Sequence, residues 1–479
     1  MSAPHRTPVE RVLEWGAARP DDDAIVSVAL RMTYAQLADG VRRSAARLRA
    51  LGVRSGQVVG IRARPEWEAL LTLAAWHEGA TTLHASDAVL AGYGRQVDLV
   101  LSDQPTGVAA GVRVIAVDQP FIESLGSVNP RIEPHPMEVD AVCRIVFSSG
   151  TTGVPKGVAF TVATLIARTE SARTNWMPAD PFFCLLGIDT VSGFQTFAWS
   201  MLHGRPWIVP HDGPGNLALL ERTGARSLKT SPARLADLLA AAEGASAPVV
   251  HALEHVQVAG ALLTAPLASR TERVLGVVPT YLYGSTEAGT ITRGTVDAAH
   301  PTRVGALVAG AELEIVDERG AVVTEPEIVG TVRYRTASTP DHYWSADAAA
   351  NAAFRDGWFW PGDRGSITAD GALDLKGRAD DVVNASGAKV NLAELDLWLA
   401  ELDVLTDLAT FPYRTREGAL AIGLVYVPRH DIRPESVREA VRRRVPHVEV
   451  TAFIRVDAVP RNARGKVTRH SLSRLLGDS

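Results

Sequence analysis

Ser148-Ser149-Gly150-Thr151-Thr152-Gly153-Val154-Pro155-Lys156-Gly157 is the stretch from which the rest of the chain is best read. Before it runs Ala141-Val142-Cys143-Arg144-Ile145-Val146-Phe147, short and mostly apolar, which predicts a buried strand. Three glycines and four hydroxyl residues then fall within ten positions. Glycine lets a backbone turn sharply and approach a ligand closely. Backbone N–H groups in such a loop, with hydroxyls and one lysine, make a cradle for phosphate oxygens. Taken on composition alone, the other reading is a mobile surface loop. The spacing is not that of a Walker loop, because Pro155 precedes Lys156 and Gly157 follows it.

Composition sets the frame around that loop. At 479 residues the chain is long for one domain, and two or three are expected. An apolar share of 46% supplies sizeable cores, and a net charge of −5 gives no sign of nucleic-acid binding. The two cysteines, Cys143 and Cys184, sit among apolar neighbours and read as buried thiols of a reducing compartment. Residues 1–23 carry no signal-peptide core, and no apolar run reaches a bilayer span. A cytoplasmic protein with no membrane partner is the expectation.

Helix and strand patterns alternate upstream of the loop. Thr33 with Gln36 predicts a capping box, followed by Leu37, Val41, Ala45 and Leu48 at helical spacing and a stop at Gly52. Residues 58–61 read as a strand and 66–78 as a helix. Downstream, helices are expected at 216–221 and 233–242, and a strand at 256–258 leading into Ala259-Gly260-Ala261. This alternation argues for layered α/β architecture with largely parallel sheets. From Arg303 the pattern turns β-rich, with strands at 312–316 and 330–334 around the turn Asp317-Glu318-Arg319-Gly320. The expected organisation is a core domain over 1–376, its β-rich part about 303–376, and a small α+β domain over 377–479. In that last part Asn391 with Glu394 predicts a capping box. A leucine face (Leu392, Leu395, Leu399, Leu402), a strand at 420–427 and a basic, solvated helix at 434–444 follow.

Three more motifs carry chemistry. Tyr283-Gly284-Ser285-Thr286-Glu287 offers a ring to stack on a purine, a hydroxyl for phosphate or carboxylate oxygen, and a hard carboxylate for Mg²⁺. Trp360-Pro361-Gly362-Asp363-Arg364-Gly365 puts a carboxylate on a tight turn, suited to vicinal hydroxyls. Lys466 follows Gly465 near the C-terminus.

Together with the 148–157 loop, and in this order along nearly the whole chain, these motifs resemble those of the adenylate-forming superfamily of acyl-CoA synthetases, peptide-synthetase adenylation domains and firefly-type luciferases. The resemblance implies an ATP- and Mg-dependent ligase that joins a carboxylic acid to AMP and then passes the acyl group to a thiol, of CoA or of a separate carrier protein. It implies that Ser148, Ser149, Gly150, Thr151, Thr152, Gly153 and Lys156 hold phosphates. Ala259, Gly260, Ala261, Tyr283, Gly284, Ser285, Thr286, Asp363 and Arg378 would complete the nucleotide site, with Mg²⁺ on Glu287. It implies that Lys466, with Glu287 and Thr286, acts at the α-phosphoryl group, and that Asp380 is the hinge about which the small domain turns. The acid would lie near Asp189, Thr190, Phe194, Gly260 and Gly284.

The chain also departs from that pattern. Pro361 stands where the superfamily has Thr. Where acyl-CoA synthetases carry a His before the glycine matching Gly193, this chain has Asp189 or Thr190; Asp189 reads equally as a grip on a substrate amine or hydroxyl and as a helix cap. Many CoA ligases have lysines where Asn384 and Ser386 stand, with Lys389 nearby. Transfer to a non-thiol nucleophile, or activation of nitrite for diazotisation of an aryl amine, therefore stays open. Trp176, Phe182, Phe183, Phe194 and Trp199 near the pocket segment favour an aromatic or modest-sized apolar acid, or are core. From another class, His251-Ala252-Leu253-Glu254-His255 matches the H-x-x-E-H pattern of some zinc peptidases. A nucleotide-binding relative without catalysis is a further reading, against which Lys156, Glu287, Asp363 and Lys466 are all intact.

Overall fold

The structure is a computed structural model that describes residues 6–104, 111–135, 137–148, 155–378, 381–385, 388–415, 419–461, 467 and 469–476. Local signals near the start act as expected. Thr33 caps the helix Tyr34–Ala50, its hydroxyl accepting from the Gln36 N–H while the Gln36 side chain accepts from the Thr33 N–H at 2.9 Å. Leu37, Val41, Ala45 and Leu48 are its buried stripe. The helix Pro65–His77 begins on a proline, whose missing N–H would have had no partner there. It is buried along nearly its whole length, so its apolar residues run together instead of forming a stripe.

These elements build a six-stranded sheet. Its order is Val114–Ala116, Leu99–Ser102, Val58–Arg62, Thr81–His84, Val142–Ser148, Lys156–Thr161. All neighbours are parallel except the last pair, which is antiparallel and pairs Ser148 with Lys156. A second sheet is larger, with sixteen strands. In it Asp23–Val26, Trp207–Ile208, Phe182–Cys184, Ser227–Thr230, His255–Ala259 and Thr280–Ser285 run parallel. The strand Gly289–Thr295 then turns back, and the β-rich stretch from Arg303 continues the same sheet by antiparallel pairing. One apolar core joins the two sheets. Cys143, Val146 and Val158 come from the first, Phe183, Leu228 and Val256 from the second, and Leu37, Trp76, Phe194 and Phe197 from helices.

The C-terminal part has its own core. Leu392, Leu395 and Leu399 pack with Ile422, Leu424, Val437 and Val441 beside the three-stranded sheet Leu405–Arg414, Leu420–Pro428, Val450–Arg455. Asn391 caps the helix Leu392–Ala400 by accepting from the Ala393 and Glu394 N–H groups. The other half of the expected box, from the Asn391 backbone N–H to the Glu394 side chain, is not formed; separately, the Asn391 side-chain amide donates to the Lys376 carbonyl. Leu402 lies beyond the end of that helix, so the leucine face is one turn shorter than its spacing suggests. The helix Pro434–Arg444 turns Val437 and Val441 inward and leaves Arg442, Arg443 and Arg444 exposed. The chain is thus α/β, with a large part of layered sheets followed by a smaller α+β part.

A buried polar cluster ties the strand before the loop to the helices. Arg144 is 1% exposed and donates to Glu68 Oε1 at 3.0 Å and to the Ile188 carbonyl at 3.2 Å. His84 meets the other Glu68 oxygen at 2.9 Å. Burial works against the Glu68 carboxylate, yet His84 and Arg144 together hold it below the usual range. Removing one partner of such a pair leaves the other buried and uncompensated. Glu68→Ala is therefore expected to cost about 3–5 kcal/mol in urea unfolding. The double variant Glu68→Leu, Arg144→Met should recover most of that loss.

Candidate active site

Six of the motif residues stand around one tight turn. The strand Thr280–Ser285 pairs antiparallel with Gly289–Thr295, with a register shift between Tyr283 and Gly284. A Cβ on Gly284 would lie 2.0 Å from the Gly289 carbonyl oxygen, so only glycine lets the two strands approach this closely. The Ser285 hydroxyl accepts from the Ala288 N–H at 3.1 Å and closes the turn. That bond gives Ser285 a part in shaping the turn. Thr286 and Glu287 are held at the tip.

On one side of the turn, the Tyr283 hydroxyl donates to Asp363 Oδ2 at 2.5 Å. Burial first, then the neighbouring Tyr334 and Asp363, push the Tyr283 phenol well above its ordinary range, so it stays a donor. Asp363 opens the strand Asp363–Ile367 and pairs in register with Arg378, whose Nε lies 3.4 Å from Asp363 Oδ1. Arg378 also donates to the Pro361 carbonyl, which keeps its guanidinium against this turn.

On the other side, the Tyr343 hydroxyl donates to Glu287 Oε1 at 2.8 Å. Lys156 Nζ stands 5.2 Å from the centroid of the same Tyr343 ring, a cation–π contact that links the loop's lysine to the carboxylate. Glu287 is 5% exposed, and among the described residues no hydrogen bond engages its Oε2. A single carboxylate with an open oxygen is a donor set that suits Mg²⁺, which takes one or two carboxylates and completes its shell with water and phosphate.

Arg168 holds the turn from behind. It reaches out of the helix Val162–Trp176, donating to the Thr286 carbonyl at 2.8 Å, to the Glu287 carbonyl and to Ser338 Oγ at 2.9 Å. Burial pulls its guanidinium down to about 10, while Glu287 works the other way. The C-terminal flank of the phosphate-loop stretch is pinned twice as well. The Tyr93 hydroxyl donates to the Pro155 carbonyl at 2.8 Å, and the Trp344 N–H to the Gly157 carbonyl at 2.7 Å.

The expected acid-binding residues fare differently. Thr190 is the N-cap of the helix Val191–His203, accepting from the Gly193 N–H and donating to the Gly187 carbonyl at 2.8 Å. Its hydroxyl is thus engaged by backbone, and the capping role weighed for Asp189 belongs to Thr190. Asp189 is half-buried beside this cap. Phe194 is fully buried, edge-on to Trp76 at 5.9 Å and with the Arg144 guanidinium 4.9 Å from its ring, so it is core and not pocket wall. The aromatic set divides likewise. Phe183 and Phe194 belong to the main core, whereas Trp176, Phe182 and Trp199 form a separate group with Cys184 and Leu282. Gly260 turns at φ +92° with open space where a Cβ would stand, directly after the strand His255–Ala259, with Ala261 next in the chain. Ser149, Gly150, Thr151, Thr152, Gly153, Asp380 and Lys466 lie outside the described residues.

Residues 251–254 form no helix, which overturns a histidine pair on one helix face. Glu254 is spent on Arg226 through two bonds of 2.8 Å, and the Leu253 N–H donates to His251 Nδ1. Tyr343 and Arg168 were not foreseen. Arg168 gave little signal, because its helix is mixed in polarity and its buried side also carries Thr169 and Asn175.

A family model described as AMP-binding enzyme matches residues 12–344. The chain is 29% identical over 353 residues to a 3-hydroxybenzoate–CoA ligase of Aromatoleum sp. (strain CIB), covering 69% of this chain and 66% of that protein. It is 29% identical over 348 residues to an L-proline–[L-prolyl-carrier protein] ligase of Streptomyces coelicolor, covering 67% and 64% respectively. In both cases the match spans slightly less than two thirds of the relative. The fold is similar to o-succinylbenzoate coenzyme A synthetase from Bacillus subtilis in complex with ATP and magnesium ion. That likeness has a TM-score of 0.82 at 20% identity and covers 96% of this chain and 98% of the other. Because Arg168 serves two buried carbonyls at once, Arg168→Met is expected to cost about 1–3 kcal/mol for each oxygen left without a donor. Arg168→Lys should not restore it, since an ammonium lacks the planar fork; thermal and denaturant unfolding of both variants checks this.

Proposed function

The chain belongs to the AMP-binding enzyme family, the adenylate-forming ligases, and from that premise we propose that it activates a small carboxylic acid with ATP and transfers the acyl group to a thiol. In the first half-reaction a carboxylate oxygen bonds to the α-phosphorus. The bond from that phosphorus to the bridging oxygen breaks, and its electron pair leaves with pyrophosphate. In the second, a thiolate attacks the acyl carbon and AMP departs. The observation that carries this reading is the pair of contacts flanking one turn, Tyr283 to Asp363 at 2.5 Å and Tyr343 to Glu287 at 2.8 Å with Lys156 over the Tyr343 ring.

In this reading Asp363 and Arg378 take the ribose hydroxyls, and Lys156 and the loop it closes take the phosphates. Glu287 would hold Mg²⁺, which when bound offsets phosphate charge. Thr286 stands at the same tip. The protein contributes positioning and positive charge more than covalent chemistry. Lys466 is assigned to the α-phosphoryl group, on a small domain over 377–479 hinged near Asp380 and separate from a core over 1–376. The thiol belongs to CoA or to a separate carrier protein, as it does in the ligases named above.

Exchange of labelled pyrophosphate into ATP across a panel of acids, followed by thioester assays with and without CoA, tests this. Asp363→Ala is expected to raise the KM for ATP about ten- to a hundredfold, the size of losing hydrogen bonds to a charged group. Lys466→Ala should nearly abolish exchange yet spare ATP binding by equilibrium titration. Unchanged exchange in that variant would refute the assignment.

A further inference from the structure

Three polar side chains sit in a row on the large sheet. The strands Ser227–Thr230 and His255–Ala259 run parallel, placing Lys229 beside Gln257, and Cys184 flanks Lys229 on the other side. Register partners in a parallel sheet point to one face, so the three form a single line. Ala259, two residues beyond Gln257, shares that face and pairs with Leu282. Both pack with Trp176, Phe182, Trp199 and Cys184. The row therefore lies beneath the Ala259-Gly260 end of its strand, about 7 Å deeper at the rise of a parallel strand.

What this row lacks points to a ligand. Lys229 is 3% exposed, and its Nζ lies 3.2 Å from the Trp176 ring centroid. Among the described residues no carboxylate pairs with it. Burial pulls the ammonium down to about 7, against a weak opposing pull from Cys184. Gln257 is fully buried, and among the described residues neither its amide oxygen nor its amide nitrogen has a hydrogen-bond partner, nor has the buried Trp199 indole N–H. Most buried polar groups in folded proteins are paired, because desolvation without a partner is costly.

We propose that Lys229 and Gln257 are the specificity-determining floor of the acyl pocket and select acids that carry an oxygen substituent, a hydroxyl or a second carboxylate, remote from the reacting carboxylate. The inference rests on the adenylation reading above and narrows its substrate. A hydroxyl accepts from Lys229 and donates to the Gln257 carbonyl. A carboxylate accepts from Lys229, from the Gln257 amide and from Trp199. An ammonium would face the Lys229 cation and be repelled, which sets this floor against an amine-bearing acid.

The test uses the full chain and a panel matched in shape: benzoic acid and its methyl-, amino-, hydroxy- and carboxy-substituted forms. Pyrophosphate exchange gives kcat/KM for each, and a tryptophan-fluorescence titration without ATP gives binding independently of turnover. The wild-type protein is expected to prefer an oxygen-substituted acid over its methyl isostere about ten- to a hundredfold, the worth of a charge-assisted hydrogen bond. Lys229→Met, similar in volume and uncharged, should bring that ratio close to one. Gln257→Glu supplies the missing carboxylate from the protein itself and should also abolish the preference, while raising the pKa of Lys229. A wild-type protein without the preference, or a ratio unmoved by both variants, would overturn the inference. Should Lys229→Met fail to fold, Gln257→Glu still decides. If no acid supports exchange, the adenylation reading fails, and the fluorescence titration still reads the floor's selectivity.

Discussion

A single guanidinium holds the site in place. Arg168 sits in the middle of a helix, 3% exposed, and its donors reach the carbonyls of Thr286 and Glu287. The turn they hold is so close that Gly284 admits no side chain. The peptide units at the tip could not find strand partners, since a tight hairpin turns them away from its own ladder. Without a forked donor they would be buried and unsatisfied. Tyr283 on one side and Glu287 on the other both take their direction from this turn, and through them so do Asp363 and Tyr343.

The charges are arranged around that turn in a definite order. Carboxylates stand nearest it, Glu287 and Asp363, each receiving a tyrosine hydroxyl. Cations stand one step further out, Lys156 over Tyr343 and Arg378 beside Asp363. On the proposed reading a polyanion entering such a site would meet Lys156, and Glu287 would face it through a divalent cation. Neither described cation is positioned to serve a reacting phosphorus, because one is committed to a ring and the other to Asp363 and the Pro361 carbonyl. That gap is what a lysine delivered from the smaller C-terminal part would fill on the proposed reading, and it explains why such a residue sits so far along the chain.

Much of this was legible before any coordinates. Thr33 with Gln36 and the strand before Ser148 follow from local chemistry, which tertiary packing had no reason to override. The motifs around Tyr283, Glu287 and Asp363 were readable through their shared order with the adenylate-forming superfamily, since each by itself reads equally as an ordinary turn. What could not be read was set across the sheet. Tyr343 is a residue without a motif, and only the pairing of distant strands brings its hydroxyl to Glu287. The Asn391 cap formed only by half, and its side-chain amide met the Lys376 carbonyl, a partner from another element that local spacing does not show. Phe194 was misjudged for a related reason. Helical spacing places a ring on a face, but whether that face meets a pocket or the core depends on what packs opposite.

Three buried cations show how burial can be told apart from function. Arg144 is buried against Glu68, and its charge is answered by another charge. Arg168 is buried against carbonyls, and its fork is answered by backbone. Both have a structural explanation in the partners they hold, although among the described residues Arg144 Nε and Nη1 have none. Lys229 has an aromatic face and an unpartnered amide beside it, and a methionine there would satisfy every apolar contact without a desolvation cost of several kcal/mol. A sequence selected for stability alone would not keep a lysine in that row. Among the described residues Lys229 has no carboxylate or carbonyl partner of the kind that answers the first two cations, and on the inference drawn above that is the place a ligand oxygen would take.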